Sequence, residues 1–446
     1  MKSILISNAQ IINEGKSFLG SVFIREGRIE KVFDQFAELP EAENHIDAQG
    51  LLLIPGVIDD QVHFREPGLM HKADIYSESI AAVAGGITSY MEMPNTIPQT
   101  TTQELLEEKF LIASQKSLAN YSFYIGATND NLDELLKTDF SKVCGVKIFM
   151  GSSTGNMLVD RIESLEKIFS QIHGIIAVHC EDEETIKQNT AMFRGIYGEN
   201  IPIEFHAEIR SETACFLSSK KAVELAKKHN TRLHVLHIST EKELELFDFE
   251  KPIEDKNITA EVCVHHLWFD ENDYAQKGTL IKWNPSIKKK SDKDALLNGV
   301  LSNKIDVIAT DHAPHTLEEK NNSYFLAPSG GPMVQHSLIT MLELVRQNKI
   351  TMEKVVEKMC HAPARLFRIE KRGFIRQGYW ADLVLVDPDK KWEVTKENIL
   401  YKCAWSPLQN QIFSSKVITT FINGQIVFDH GNFDLSFRGK RLHFNL

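Results

Sequence analysis

Eight short apolar runs, most of them followed by a stretch suited to a helix, set the narrowest limit on how this chain folds. They are "GVIDDQVHF" (56–64), "GITSYMEM" (86–93), "NYSFYIGAT" (120–128) and "CGVKIFMG" (144–151), then "IIAVHCED" (175–182), "RLHVLHIS" (232–239), "ITAEVCVHH" (258–266) and "DVIATDHAPH" (306–315). Between them lie segments such as "TQELLEEKFLIASQKSLA" and "ETACFLSSKKAVELAKKH". Eight βα units predict an α/β fold of the TIM-type (β/α)8 barrel, with parallel strands inside and helices outside. The runs are apolar rather than alternating, as expected of strands covered on both faces.

The two ends have another rhythm. "ILISNAQIIN" and "GSVFIREGRIEKVF" alternate apolar and polar residues, and so do "GFIRQGYWADLVLVDP" and "KVITTFINGQIVFDHG". Alternation of this kind marks strands with one wet face. A lone hairpin buries too little to be stable. The expectation is therefore a small β-sandwich built jointly from 1–55 and 366–446, flanking a catalytic barrel over 56–365. A chain of 446 residues has room for both.

Charge and cysteine usage narrow the partners. A net charge of −11 argues against nucleic acid, whose phosphates need a basic face. It leaves room for a small anionic substrate, since one local arginine outweighs the global balance. No apolar run approaches the roughly 20 residues that span a bilayer, so no membrane partner is expected. The start, "MKSILISNAQIINEG", turns polar too early for a secretory leader. The six cysteines, at 144, 180, 215, 263, 360 and 403, show no CxxC pairing and read as reduced residues of a cytoplasmic protein.

Chemically capable groups fall at the ends of these runs. The first ends in Gln61, His63 and Arg65, and the second in Asn95. The fourth carries Lys147, the fifth and sixth end in His179 and His237, and the eighth ends in Asp311 and His315. Singly, each has an ordinary reading: a satisfied core histidine, a lysine with its head in solvent, a capping aspartate. His45, His71 and His430 keep that reading, and His265 and His266 are assigned a supporting role. In a barrel, however, the C-terminal strand ends meet at one mouth. His63, His179, His237 and Asp311 then form a zinc-type set of N and O donors.

The motifs "DDQVHFREPG", "MPNT", "GVKIFMGSSTG", "VHCED", "LHIS", "NPSIK" and "ATDHAPH" resemble the series found in dihydroorotases, cyclic amidohydrolases of the metal-dependent hydrolase superfamily. "CHAPARLF" and "GYWADLVLVD" extend the likeness over nearly the whole chain. The resemblance implies zinc-dependent, reversible cyclisation of N-carbamoyl-L-aspartate to L-dihydroorotate, a step toward pyrimidines. It implies that His63 and Asp311 bind an α zinc, that His179 and His237 bind a β zinc, and that Lys147 bridges both as a CO2-derived carbamate. Asp311 would also be general base and acid. Arg65, Asn95, Asn284 and His315, with the backbone at Ser329 and Gly330, match substrate-binding positions.

One position departs from the pattern. Gln61 stands where the usual His-x-His pair has its first histidine. Its amide oxygen is a weaker ligand than an imidazole, so two zinc ions are expected, with the α site the weaker. A homodimer is also expected. The rival activities are those of a hydantoinase, dihydropyrimidinase or allantoinase, which Lys147 fits equally well. The rival without catalysis is a homologue that serves as a structural partner, and only Gln61 favours it.

Overall fold

The computed structural model describes residues 3–151 and 157–445. Ser152 to Gly155 of the "GVKIFMGSSTG" motif lie outside the described residues.

All eight runs form strands, in the expected order. They are Val57–Val62, Ile87–Glu92, Asn120–Gly126, Gly145–Phe149, Ile176–His179, Leu233–Val235, Ile258–Cys263 and Val307–Ala309. Each pairs in parallel with the next. The first and last meet through a parallel bridge between Val62 and His312 and a 2.7 Å hydrogen bond from the His63 amide to the His312 carbonyl. The barrel is thus nearly closed. Its strands are buried almost throughout, and in parallel sheets both faces are covered.

The strands are shorter than the apolar runs. The seventh stops at Cys263, and Val264–Trp268 turns into a helix. His265 and His266 therefore sit on a helical turn rather than at a strand end, which corrects the reading of 258–266 as one strand. The run continues apolar because the turn is itself buried, and apolarity alone does not separate strand from buried helix.

Helices start and stop where local chemistry allows. Glu212–His229 begins behind Ser211, whose side chain accepts from the Ala214 amide, and ends at Asn230 in the left-handed region (φ 53°). Lys227, Lys228 and His229 place positive charge at its carboxyl end, where the helix dipole favours it. Gln103–Lys116 is capped likewise by Thr102. No helix is long and apolar enough to cross a membrane.

The two ends of the chain build one nine-stranded, mainly antiparallel sheet. Its join is Leu52–Pro55, parallel to Ile4–Asn13 on one side and antiparallel to Leu383–Asp387 on the other. The outer parts come back together: a Cβ on Gly27 would lie 2.6 Å from the Asn423 carbonyl, so only glycine fits that approach (φ 79°). Ile11, Val22, Leu53, Leu385 and Phe421 share the core enclosed in this way, as the sandwich expectation requires. Pro55 leads within two residues into the first barrel strand, which carries the first site residues.

Candidate active site

One cavity of about 660 Å³ opens at the C-terminal ends of the barrel strands. All twelve residues singled out from the sequence line it: Gln61, His63, Arg65, Asn95, Lys147, His179, His237, Asn284, Asp311, His315, Ser329 and Gly330. Three of them hold positive φ without being glycine: Arg65 at 68°, His237 at 41° and Asp311 at 45°. Such backbone is costly and persists where the surroundings force it, commonly at functional sites.

The expected metal ligands come together as two pairs. His63 Nε2 lies 3.1 Å from Asp311 Oδ1, and Gln61 Nε2 lies 3.1 Å from the same oxygen. His63 Nδ1 contacts Asn95 Oδ1 at 2.7 Å. In the second pair, His179 Nδ1 and His237 Nε2 face each other at 2.9 Å. Burial lowers the pKa of all three histidines, which favours the neutral imidazole that binds metal. Lys147 lies between the strands of the fifth-run histidine and of the third run, its Nζ 4.7 Å from the Phe149 ring centroid. Burial pulls its ammonium down to about 7. It is not the solvent-facing lysine of the ordinary reading, being 1% exposed.

Two groups support the site from behind. Glu181 Oε2 lies 3.1 Å from His179 Nε2 and pairs with Arg210. Burial opposes its charge, yet Arg210 and His179 hold it down at about 2. Sequence reasoning missed Glu181, although it stands two residues after His179 in "VHCED". It also missed Lys72, whose Nζ is 3.0 Å from His315 Nδ1 and from Glu319 at the cavity wall. The "LMHKAD" stretch that carries Lys72 follows Arg65 closely.

The donor set suits a divalent ion unevenly. His179 and His237 converge on one point beside Lys147, with His179 fixed by a carboxylate in the way metal-bound histidines usually are. His63 and Asp311 converge too, but the third group there presents an amide nitrogen, which has no lone pair to give. Among the described residues two further trios bring possible ligand atoms within 4.8 Å: Cys263, His265 and His266, and Asp60, His234 and Glu261. In the first, His265 stacks on Trp283 at 4.4 Å and His266 lies 3.2 Å from the Pro285 carbonyl, a supporting arrangement. In the second, His234 Nε2 lies 3.2 Å from Asp60 and 3.7 Å from Glu261, and these carboxylates raise the imidazole's pKa against the effect of burial.

The residues expected to bind substrate line the same cavity. Arg65 donates from Nε to the Pro314 carbonyl at 3.0 Å, and its Nη2 is 3.0 Å from His315 Nε2. Burial pulls the guanidinium down to about 10, against the upward pull of Asp311, Glu92 and Glu319. Asn284 Oδ1 is buried without a partner among the described residues. Gly330 (φ 124°) packs so closely that a Cβ would meet the Ala313 carbonyl at 2.6 Å, keeping the 329–330 backbone against the cavity.

An eight-stranded barrel with imidazoles, a carboxylate and a buried lysine at its mouth defines a hydrolase-type centre, and residues 52–427 match the profile of the Amidohydrolase family. The chain belongs to that family. Among its relatives, a dihydroorotase of Methanosphaera stadtmanae is 31% identical over 87% of this chain and 88% of its own length. One from Pyrococcus furiosus is 32% identical over 97% and 96%. The L-hydantoinase (dihydropyrimidinase) of Arthrobacter aurescens has a closely similar structure, with a TM-score of 0.92 at 25% identity over 97% of both chains.

Proposed function

We propose that this cyclic amide hydrolase is a dihydroorotase, interconverting L-dihydroorotate and N-carbamoyl-L-aspartate. The observation that carries the choice is Arg65, 7% exposed and lining the cavity. A guanidinium has five N–H donors in a planar fork. One is used on the Pro314 carbonyl while Nη2 lies against His315 Nε2, and the remaining N–H groups suit a carboxylate held in two-pronged fashion. Dihydroorotate has that carboxylate beside a cyclic imide, whereas hydantoin and allantoin have none. Dihydroorotase relatives at 30–32% identity support the same choice, and the hydantoinase-like fold is neutral, since both activities use it.

Arg65 would hold the exocyclic carboxylate, while Asn95 and Asn284 orient the ring. A zinc ion held by His179, His237 and carbamylated Lys147 would polarise the ring carbonyl and make water more acidic. Asp311 takes the water's proton as the C–O bond forms, then hands it to the ring nitrogen as the C–N bond breaks. In the cyclising direction Asp311 carries the proton the other way. Lys147 would gain its carbamate when the neutral amine attacks CO2: an N–C bond forms, one proton leaves, and an anion stands where an ammonium would repel a cation.

Arg65→Met tests the clamp. Losing one partner of a buried charged pair costs about 3–5 kcal/mol, or a factor of hundreds or more in kcat/KM for dihydroorotate. Turnover within about threefold of the parent would show that Arg65 does not hold the substrate.

A further inference from the structure

We propose that Gln61 is no metal ligand but a positioning residue for Asp311, and that the chain in consequence holds one zinc ion tightly, at His179, His237 and Lys147. This rests on the amidohydrolase reading of the site and departs from the expectation that Gln61 is a weak ligand of a second ion.

Gln61 lies within the first barrel strand and is 1% exposed. Its amide has two chemically opposite ends, and Asp311 chooses between them. Nε2 lies 3.1 Å from Asp311 Oδ1. An ionised carboxylate only accepts, so an N–H there makes a charge-assisted hydrogen bond, while a carbonyl oxygen would set two acceptors against each other. Oε1 lies 3.8 Å from Cys263 Sγ, a buried thiol whose single hydrogen has a nearer acceptor in Glu261 Oε1 at 3.5 Å. Reversing the amide would exchange the contact with Asp311 for a repulsion. A nitrogen that donates to Asp311 offers an ion nothing, and the oxygen is turned away toward the seventh strand.

The two histidine pairs differ in the same direction. His179 is braced through Nε2 by Glu181, itself held by Arg210. His63 is braced through Nδ1 by the neutral amide of Asn95, and its partner Asp311 already receives Gln61. A carboxylate behind a ligand histidine raises its basicity, and a neutral amide does so less. The second pair is thus the better braced to hold an ion, while beside the first it is Gln61 that donates to Asp311. In this account the substitution of glutamine for histidine in "DDQVH" exchanges a ligand for an aimed hydrogen bond.

The test uses zinc as the probe and counts metal independently of turnover. The full chain is stripped, reloaded through a zinc buffer, and its bound zinc measured per polypeptide. The parent should bind one tight equivalent. Gln61→Met keeps the length of the side chain but cannot donate. It should retain that equivalent while kcat for dihydroorotate falls about tenfold or more with KM little changed, the size seen when groups behind a ligand are removed. Gln61→His should gain a second equivalent. Two equally tight equivalents in the parent, loss of zinc in Gln61→Met, or unchanged kcat in Gln61→Met would each overturn the proposal. If Gln61→Met does not fold, the parent and Gln61→His counts still decide it. Should dihydroorotate not be turned over at all, the zinc counts stand, and the failure lies with the substrate.

Discussion

At the scale of single residues, Lys147 is the side chain whose surroundings ask most of it. An amine drawn down to about 7 by burial is about half uncharged near neutrality, and only the uncharged amine attacks CO2. Lys147→Ala should therefore lose bound zinc together with activity, by about a hundredfold or more, and short carboxylates such as acetate should restore part of both. Zinc analysis with and without acetate checks this, and an unchanged zinc content would contradict it. The residue types of the site were legible in the sequence because the cavity is lined by strand ends, and most runs ended in a group with few reasons to be buried. What was not legible is direction. "Q" at position 61 does not say which end of the amide faces inward, and that depends on Asp311, which lies 250 residues away along the chain. Glu181 and Lys72 were passed over for a similar reason: a carboxylate or an ammonium beside a motif looks like a solvated charge until the group it holds is placed.

At the scale of elements, the site's first two strands are tied to a helix by a buried ion pair. Lys109, on Gln103–Lys116, reaches Glu92 at 2.7 Å, with both side chains at most 1% exposed. Glu92 also accepts from the Phe64 amide at 2.9 Å, and Lys109 donates to the Met93 carbonyl at 2.9 Å. The pair thus fixes the chain just after His63 and just before Asn95. Removing one partner leaves an uncompensated buried charge, so Lys109→Ala should cost about 3–5 kcal/mol, against about 0–1 for an exposed pair such as Arg25–Glu30. Urea unfolding of the two variants checks the contrast, and equal midpoints would contradict it. The sequence showed the helix through its period, but Lys109 reads there as a surface position. Element lengths were also overread. The sixth strand spans only Leu233–Val235, since the chain has left the ladder by His237, where φ turns positive to aim the imidazole.

At the scale of the whole molecule, the order of elements was the most legible feature. Eight runs became eight neighbouring strands because a parallel strand must be followed by a crossover, and the helices supply it. The pairing of the two ends was legible as composition but not as register: nothing local says that Leu53 faces Leu385 across the sheet. In the proposed reading the substrate is decided by the few groups at the mouth, Arg65 above all. The measurement that tests this most directly is kcat/KM for L-dihydroorotate, hydantoin and allantoin on one zinc-loaded preparation. A buried charge clamp favours dihydroorotate by about a hundredfold or more over the two uncharged rings. Faster turnover of hydantoin or allantoin, or no turnover of any of the three at saturating zinc, would contradict the account.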